Sequence, residues 1–128
     1  MIKIINIIKN VKTTGPYSPA IDTGFLIFIS GQIGSISHNN NIDDSIQHQT
    51  KQSLKKIKNI LKTTNLGISN IVKTTLFITD MNDLNIINEI YESFFNTHNA
   101  SFPARSCIEV SRLPQNAKIE IDAIAIRT

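Results

Sequence analysis

The chain has 128 residues, about the length of one ordinary domain, with 41% apolar and 18% charged residues. This composition is typical of a soluble globular protein and excludes a disordered chain. The net charge of +3 comes from scattered lysines, which argues against a nucleic-acid-binding surface. We therefore expect a single domain over residues 1–128.

Two further features indicate the compartment. Cys107 is the only cysteine, so an internal disulfide is ruled out and a reducing environment fits. No apolar run approaches the length of a membrane span. The apolar segment 2–8 is interrupted by Lys3 and Asn6 and lacks a cleavage site, so it does not read as a signal peptide. We expect a cytoplasmic protein with no membrane partner.

The first third of the chain predicts two strands. Residues 2–8 form a short apolar run, and residues 25–29 form a continuous one that is typical of a strand buried on both faces. The second strand ends in Ser30 and Gly31, where the glycine permits close backbone approach and the serine adds a hydroxyl. A phosphate loop is excluded because the Lys-Ser/Thr pair that follows such a loop is missing.

Loops flank these strands. Residues 15–19 hold Tyr17 between two prolines, which stiffens the loop and suits it to presenting the hydroxyl. The alternative is a loop tyrosine that merely covers the core. Residues 35–41 are polar and are predicted as a second loop.

Two amphipathic helices follow, separated by an alternating strand over residues 72–79. The first helix runs to about residue 63, and the apolar stripe of the second predicts core contacts. Asn88 is the one polar group on that second stripe that we single out, with simple solvent exposure as the alternative. Each helix has candidate N-terminal caps, namely Asp43 or Asp44 for the first and Asp80 or Asn82 for the second.

Residues 102–110 are predicted to hold Arg105 on a strand. Pro103 biases its predecessor toward an extended backbone, and alternation brings Arg105, Cys107 and Glu109 onto one face. A buried, unpaired guanidinium would cost on the order of several kcal/mol, so Arg105 needs an anion from another strand, another chain or a ligand. Its planar fork suits a carboxylate ligand. A structural ion pair is the alternative.

The last strand is predicted over residues 118–126, with apolar groups on both faces as in a central strand. A hairpin with the preceding strand would bring Glu120 near Arg105, but a one-residue slip in register would reverse the face that each presents. A direct salt bridge between the two is the alternative to a shared site.

The order ββαβαββ predicts an α+β fold, with a single mixed β-sheet and two helices packed on one face. The other face is partly apolar and is expected to be covered by another copy of the chain.

A series of short stretches then runs in one order across nearly the whole chain: Gly15-Pro-Tyr-Ser-Pro-Ala-Ile21, Ser30-Gly-Gln-Ile33, Ile71-Val-Lys-Thr-Thr75, Asp80-Met-Asn-Asp83, Asn88-Glu-Ile-Tyr91, Phe94-Phe95, Phe102-Pro-Ala-Arg-Ser-Cys107, Arg112-Leu-Pro114 and Lys118-Ile-Glu-Ile-Asp-Ala-Ile-Ala125. In this order they resemble the reactive intermediate deaminase A (RidA, YjgF-like) family of imine deaminases. Only the first ten residues and the 35–45 loop differ from the usual pattern.

The resemblance implies a homotrimer with active sites in the clefts between subunits, similar in fold to the chorismate mutase trimer. It implies hydrolysis of 2-enamine and 2-imino acids, such as 2-aminoacrylate and 2-iminobutyrate, to 2-oxo acids and ammonia, with no cofactor and no metal. Such substrates are released by pyridoxal-phosphate enzymes. Arg105 is implied to bind the substrate carboxylate and Glu120 to orient the attacking water. The implied catalytic residues are Arg105, Glu120 and Tyr17, and the implied substrate-binding residues are Arg105, Cys107 through its backbone, Ser30, Gly31 and Asn88.

Three alternatives remain open at this stage. A thiolate nucleophile at Cys107 would need a lowered pKa, and no histidine lies near it in sequence. An RNA-acting translation inhibitor is a second alternative, against which stand the scattered lysines and the lack of an aromatic stacking motif. The third is a sensor that binds 2-oxo acids without turning them over.

Overall fold

The computed structural model describes residues 2–5, 15–34 and 44–128. Within these ranges the chain forms the following elements: β1 (Lys3–Ile5), β2 (Ala20–Asp22), β3 (Leu26–Ile33), α1 (Ile46–Thr63), β4 (Ile71–Ile78), α2 (Leu84–Thr97), β5 (Ala104–Glu109) and β6 (Ile119–Ile126). The strands make one sheet in the order β1-β2-β3-β6-β4-β5. All neighbours are antiparallel except β4 and β5, which are parallel. The predicted α+β fold with a single mixed sheet is confirmed.

The core lies between the sheet and the two helices. β6 is central, as predicted, and its alternation buries Ile119, Ile121, Ala123 and Ala125 on the helix side. The predicted apolar stripes of the helices meet this face, with α1 and α2 packed beside each other. Full burial of such a side chain contributes roughly 1.5–3 kcal/mol, so this layer fixes which face of each strand is available for a site.

Local polar groups decide where the helices begin. The cap predicted at Asp43 or Asp44 is wrong, because Ser45 occupies the N-cap and its hydroxyl accepts the backbone N–H of His48 at 3.2 Å. The cap predicted for the second helix at Asp80 or Asn82 is wrong, because Asp83 occupies the N-cap of α2. Asp80 instead caps the short turn that precedes this helix. Its carboxylate accepts the N–H of Asn82 at 2.9 Å and opens a short 3₁₀ turn that leads into α2.

Two strand predictions need correction. β2 was absent from the predicted order, which becomes βββαβαββ, because three residues are too few to display a two-residue period. The strand predicted over residues 2–8 is found at Lys3–Ile5, while residues 6–8 and the loop predicted at 35–41 lie outside the described residues. No helix in the described residues has the length and apolar character that crossing a membrane requires.

The sheet face away from the helices, here called the outer face, is partly apolar. Residues 25–29 were predicted to be buried on both faces, which is wrong for the single chain. Ile27 and Ile29 are buried on the helix side, whereas Phe28 on the outer face is 43% exposed. Ile108 of β5 lies on the same outer face and is 46% exposed. This face therefore has room for a cover that residues 2–5, 15–34 and 44–128 do not supply.

The predicted hairpin between the last two strands does not form. β4 lies between β5 and β6, and it pairs with each of them. Arg105 is opposite Thr74 of β4, whose side chain is buried toward the helices, whereas Glu120 is opposite Phe77 on the outer face. Arg105 and Glu120 consequently lie on opposite faces of the sheet.

Candidate functional site

Arg105 lies on β5, an edge strand, and its side chain reaches back over α2. Its Nη1 donates a hydrogen bond to Oδ1 of Asn88 at 2.9 Å. Its Cζ lies 5.0 Å from the centroid of the Tyr91 ring, which is within the range of a cation–π contact. Among the described residues the ion pair found joins Arg127 to Asp22, and no carboxylate is paired with Arg105. Arg105 is exposed in the single chain, so the burial that would make an anion necessary is not found there, and its charge is open to an anionic ligand or to another chain.

The ring beneath Arg105 is itself held firmly. Tyr91 is 5% exposed, and its hydroxyl shares a 2.7 Å hydrogen bond with Oγ1 of Thr74, which is fully buried. Burial raises the pKa of Tyr91, and the bond to Thr74 and the charge of Arg105 oppose this rise. The phenol is therefore neutral near pH 7, and it presents a π face rather than a counter-ion.

A cleft of about 420 Å³ opens beside the guanidinium. It combines one cation, one amide and one carboxylate with aromatic and proline walls. Its lining residues are Asn88, Tyr91, Glu92, Phe102, Pro103 and Arg105. A small organic anion with a short apolar side chain fits this chemistry.

Cys107 follows Arg105 by two residues and is half-buried. Burial raises the pKa of its thiol, and the charge of Arg105 only partly opposes this rise. A raised thiol pKa counts against the nucleophile considered from the sequence.

The backbone of Cys107 faces the open edge of the sheet. Val110 donates its N–H to the Ile78 carbonyl at 2.8 Å. Backbone groups in a strand alternate sides with period two, so the N–H and C=O of Cys107 point away from β4. They are available to a ligand or to another chain.

A second group of predicted residues gathers around Glu120 on the outer face. The Glu120 side chain lies directly against Gly31, where an added Cβ would be only 2.6 Å from its Oε1. A register shift in the pairing of β3 with β6 falls between Ile29 and Gln32, so Ser30 and Gly31 form a β-bulge. The bulge and the missing side chain together make the space that Glu120 occupies.

The bulge also connects to the Tyr17 loop. The hydroxyl of Ser30 donates to the carbonyl of Ser18 at 2.6 Å, and the Ser30 N–H donates to the carbonyl of Pro19 at 3.0 Å. Tyr17 itself is 52% exposed. The loop predicted to present this tyrosine is thus fastened to the strand that carries Gly31.

The carboxyl group of Glu120 has an unusual electrostatic setting. Burial raises its pKa, and the neighbouring carboxylate of Asp122 raises it further. Oδ1 of Asp122 accepts the N–H of Thr75 at 3.1 Å, which holds this second carboxylate in place. Glu120 is therefore a better proton acceptor than an ordinary surface glutamate.

The predicted site residues thus form two groups within one chain. Asn88, Arg105 and Cys107 lie at the β5 edge, whereas Ser30, Gly31 and Glu120 lie on the outer face with the Tyr17 loop. From strand geometry, the Cα atoms of Arg105 and Glu120 are about 14 Å apart on opposite faces. Both the proximity predicted from a hairpin and the alternative of a direct salt bridge are wrong within one chain.

Sequence reasoning missed three residues that shape these groups: Thr74, Tyr91 and Asp122. Tyr91 was assigned only to the core, although it follows Asn88 by three residues and so shares its helix face. Asp122 shares a strand face with Glu120, and that signal was available from the two-residue period.

Other parts of the described chain offer less. Among the described residues, no group of three or more His, Cys, Asp or Glu side chains is arranged to hold a metal ion. A cleft of about 500 Å³ lies between α1 and α2, with lysines on one wall and Ile90 and Phe94 in its floor. It contains none of the predicted site residues.

The fold and the two residue groups define a class: small α+β proteins with helices on one face of a single sheet and a cationic cleft at the sheet edge. A family model described as endoribonuclease L-PSP matches residues 7–127. The chain belongs to this family, and the RidA (YjgF-like) membership predicted from its motifs is confirmed.

Individual relatives cover nearly the whole chain. A RutC family protein of Buchnera aphidicola is 51% identical over 127 residues, which are 99% of this chain and 98% of that protein. A 2-iminobutanoate/2-iminopropanoate deaminase of Salmonella typhimurium is 46% identical over 113 residues, 88% of each chain. The crystal structure of E. coli TdcF with bound serine has a TM-score of 0.90 at 42% identity and covers 98% of this chain and 99% of that one.

Proposed function

We propose that this protein hydrolyses 2-imino acids and their enamine tautomers, such as 2-iminobutanoate and 2-iminopropanoate, to 2-oxo acids and ammonia. The observation that carries the proposal is the guanidinium of Arg105, which lies in a cleft without a carboxylate partner among the described residues. Further support comes from the name of the Salmonella relative and from the serine bound to TdcF, since serine carries the same α-carboxylate as an imino acid.

Arg105 is proposed to bind the substrate carboxylate with two parallel hydrogen bonds. The contacts that it already makes support this role, because Asn88 accepts a hydrogen bond from Nη1 and the Tyr91 ring lies beneath Cζ. Within the described part of the chain, the other four of its five N–H groups make no hydrogen bond and are left for other partners. The outward-facing backbone of Cys107 adds a donor and an acceptor beside it.

Glu120 is proposed to orient the attacking water and accept its proton. The water oxygen bonds to C2 of the imine as the C=N π electrons move to nitrogen, and the proton that Glu120 takes from the water passes to this nitrogen, which gives a carbinolamine. The hydroxyl proton of the carbinolamine then moves to the amino nitrogen, and the C–N bond breaks with its electron pair on nitrogen, so that ammonia leaves and the 2-oxo acid forms. One water is consumed and one ammonia is released, without any change in redox state. The raised pKa of Glu120 supports this role, since a stronger base takes the proton more readily. Tyr17, Ser30 and Gly31 are proposed to line the same pocket.

The two groups would act together only across a subunit boundary. We infer a homotrimer in which the β5 edge of one subunit meets the outer face of the next, so that Arg105 and Glu120 of different chains share a substrate. The partly apolar outer face and the opposite placement of the two residues both support this arrangement. A single subunit would then be inactive.

The test measures hydrolysis of 2-iminobutanoate that an amino-acid oxidase generates in situ, against the spontaneous rate. Arg105→Lys and Arg105→Ala are each expected to lower kcat/KM at least ten- to a hundredfold, because an ammonium cannot form the two-pronged contact. Arg112→Lys is the matched control, since this exposed arginine is hydrogen-bonded to Asn116 among the described residues and lies outside the cleft beside Arg105. Glu120→Gln is expected to reduce turnover while binding of 2-oxobutanoate survives.

The Arg105→Lys variant must lose activity while its melting temperature and its oligomeric state stay the same as those of the parent. Parental rates in folded Arg105→Lys and Glu120→Gln variants would contradict the assignment. Binding of 2-oxobutanoate without hydrolysis would instead identify a sensor. Cleavage of RNA in a parallel assay, at a rate that Arg105→Lys leaves unchanged, would identify the RNA-acting alternative.

A further inference from the structure

We propose that Tyr91 is a positioning residue for Arg105, with its ring acting as a shelf that sets the plane of the guanidinium for a carboxylate. This inference rests on the proposed function, in which Arg105 binds the substrate. Tyr91 is buried and does not need to touch the substrate to do this.

The shelf restrains Arg105 without using its hydrogen-bonding groups. The Cζ of Arg105 lies over the Tyr91 ring, 5.0 Å from its centroid, and a cation in this position is attracted to the ring as a whole. A carboxylate at the same place would neutralise the charge and occupy two N–H groups, whereas the ring does neither. Asn88 fixes one nitrogen, and the ring fixes the plane, so the remaining donors are held ready for a ligand.

The Tyr91 ring is hydrogen-bonded to β4, the strand that pairs with β5. Thr74 bonds to the Tyr91 hydroxyl and is also the residue directly opposite Arg105 in the ladder between β4 and β5. Phe95 supports the ring from the side, with the two centroids 4.7 Å apart. Thr74 thus contacts the ring and lies opposite Arg105, while the contact with Phe95 holds the ring without involving its hydroxyl. Pre-set orientation of this kind lowers the cost of binding a ligand.

The variants separate the ring from the hydroxyl. Tyr91→Phe keeps the π face and loses only the bond to Thr74, so KM for 2-iminobutanoate is expected to stay within about twofold of the parent. Tyr91→Leu removes the face, and KM is expected to rise roughly three- to twentyfold. Phe94→Leu makes the same aromatic loss one turn away, outside the proposed site, and is the matched control. Tyr91→Met serves the same purpose as Tyr91→Leu if the leucine variant fails to fold.

The decisive readout is a double-mutant cycle. If Tyr91 acts through Arg105, then Tyr91→Leu raises KM in the parent and has no further effect in an Arg105→Ala background. A structural role would lower the melting temperature in both backgrounds and shift KM equally in both. An equal loss in Tyr91→Leu and Phe94→Leu, or a full effect of Tyr91→Leu without Arg105, would overturn the proposal.

A measurement independent of turnover separates this proposal from the function itself. The NMR signals of the Arg105 side chain are expected to show an upfield ring-current shift in the parent and in Tyr91→Phe, and to lose it in Tyr91→Leu. If the parent hydrolyses no imine, the shift and the effect of Tyr91→Leu on 2-oxobutanoate affinity still test the shelf. Absence of the shift in the parent, or of any 2-oxo acid binding, would overturn it.

Discussion

At the scale of single residues, the two proposed charged groups lie in contrasting environments. Arg105 is exposed and held from below by an aromatic ring, which keeps its charge available. Glu120 is partly buried beside the carboxylate of Asp122, so a substitution of Asp122 can change the pKa of Glu120 while Glu120 itself is kept. Substitutions of their neighbours therefore test function without removing either group.

The neighbour of Glu120 gives a prediction about pH. Asp122→Asn removes a negative charge that raises the pKa of Glu120, so this pKa should fall. If the carboxylate form is the active base, the acid limb of kcat/KM should move to lower pH. The asparagine Oδ1 can still accept the Thr75 N–H, so the strand geometry is preserved. The neighbouring strand positions that face Glu120, Gly31 and Ile33 on β3 and Phe77 on β4, carry no charge.

The pH profile of the Asp122→Asn variant is to be compared with that of the parent under identical ionic strength. A limb that moves to higher pH, or a Glu120→Gln variant that retains the same limb, would contradict the assignment of the base.

Cys107 gives a second prediction at this scale. Both Cys107→Ala and Cys107→Ser leave its outward-facing backbone in place, so most of the activity should remain. Assays of kcat/KM for both variants check this. A loss beyond about a hundredfold, which corresponds to roughly 2.7 kcal/mol of transition-state stabilisation, would restore the thiol mechanism despite the raised pKa of the thiol.

The sequence patterns predicted some of these residues but not the contacts that they make. The two-residue period correctly grouped Arg105 with Cys107 on one face of β5 and separated Glu120 from Ile119 on β6, because alternation is a local property. It did not give the contact of Arg105 with Asn88 and Tyr91, because that depends on how α2 packs over the edge strand. The contact of Glu120 with Gly31 likewise depends on a bulge that no local pattern marks.

At the scale of elements, short-range hydrogen bonds decide boundaries that periodicity leaves open. The predicted end of α1 at residue 63 is confirmed, but the start was placed on the wrong residue. Asp43, Asp44 and Ser45 are all good cap residues, so composition alone does not choose among them. Similarly, β2 becomes a strand through its pairing with β1 and β3 rather than through its own pattern.

The correct cap can be tested directly. Ser45→Ala should lower the free energy of unfolding by about 0.5–2 kcal/mol, because the N–H of His48 loses its acceptor. Urea titration of the variant measures this loss. Ser69→Ala, at an exposed position, is the matched control and should change stability by less than about 0.5 kcal/mol. Equal effects of the two substitutions would show that Ser45 is not the cap.

At the scale of the whole molecule, the sheet has one face sealed by helices and one face that the described residues leave partly uncovered. The sequence predicted both faces in outline, since apolar residues alternate on both sides of β6. It could not predict that Arg105 and Glu120 fall on opposite faces. Strand order is set by non-local pairing, and the insertion of β4 between β5 and β6 reverses the expected arrangement.

The outer face should govern assembly rather than folding. Phe28→Lys puts a charge on this face, where it is solvated in a lone subunit but would be buried in an oligomer. The variant should keep its circular dichroism spectrum and lose the oligomer together with imine hydrolysis. Light scattering is expected to give about three times the 14.3 kDa chain mass for the parent and one chain for the variant.

Ile27→Lys is the contrasting substitution, because the neighbouring side chain is fully buried against the helices. It should abolish folding instead of assembly. A parent protein that scatters as one chain at micromolar concentration would contradict the homotrimer.

The contact between Gly31 and Glu120 also limits which substitutions position 31 can accept during evolution. A glycine codon changes by one base into codons for several other amino acids, and every one of them carries a Cβ that would force the Glu120 carboxylate out of its place against position 31. Nearly every substitution of Gly31 should therefore lower activity in a saturation-mutagenesis screen. Gly67, which has open space around it, should accept many of the same replacements. All glycines are encoded by the same set of codons, so the difference in tolerance between positions 31 and 67 would come from their surroundings in the fold.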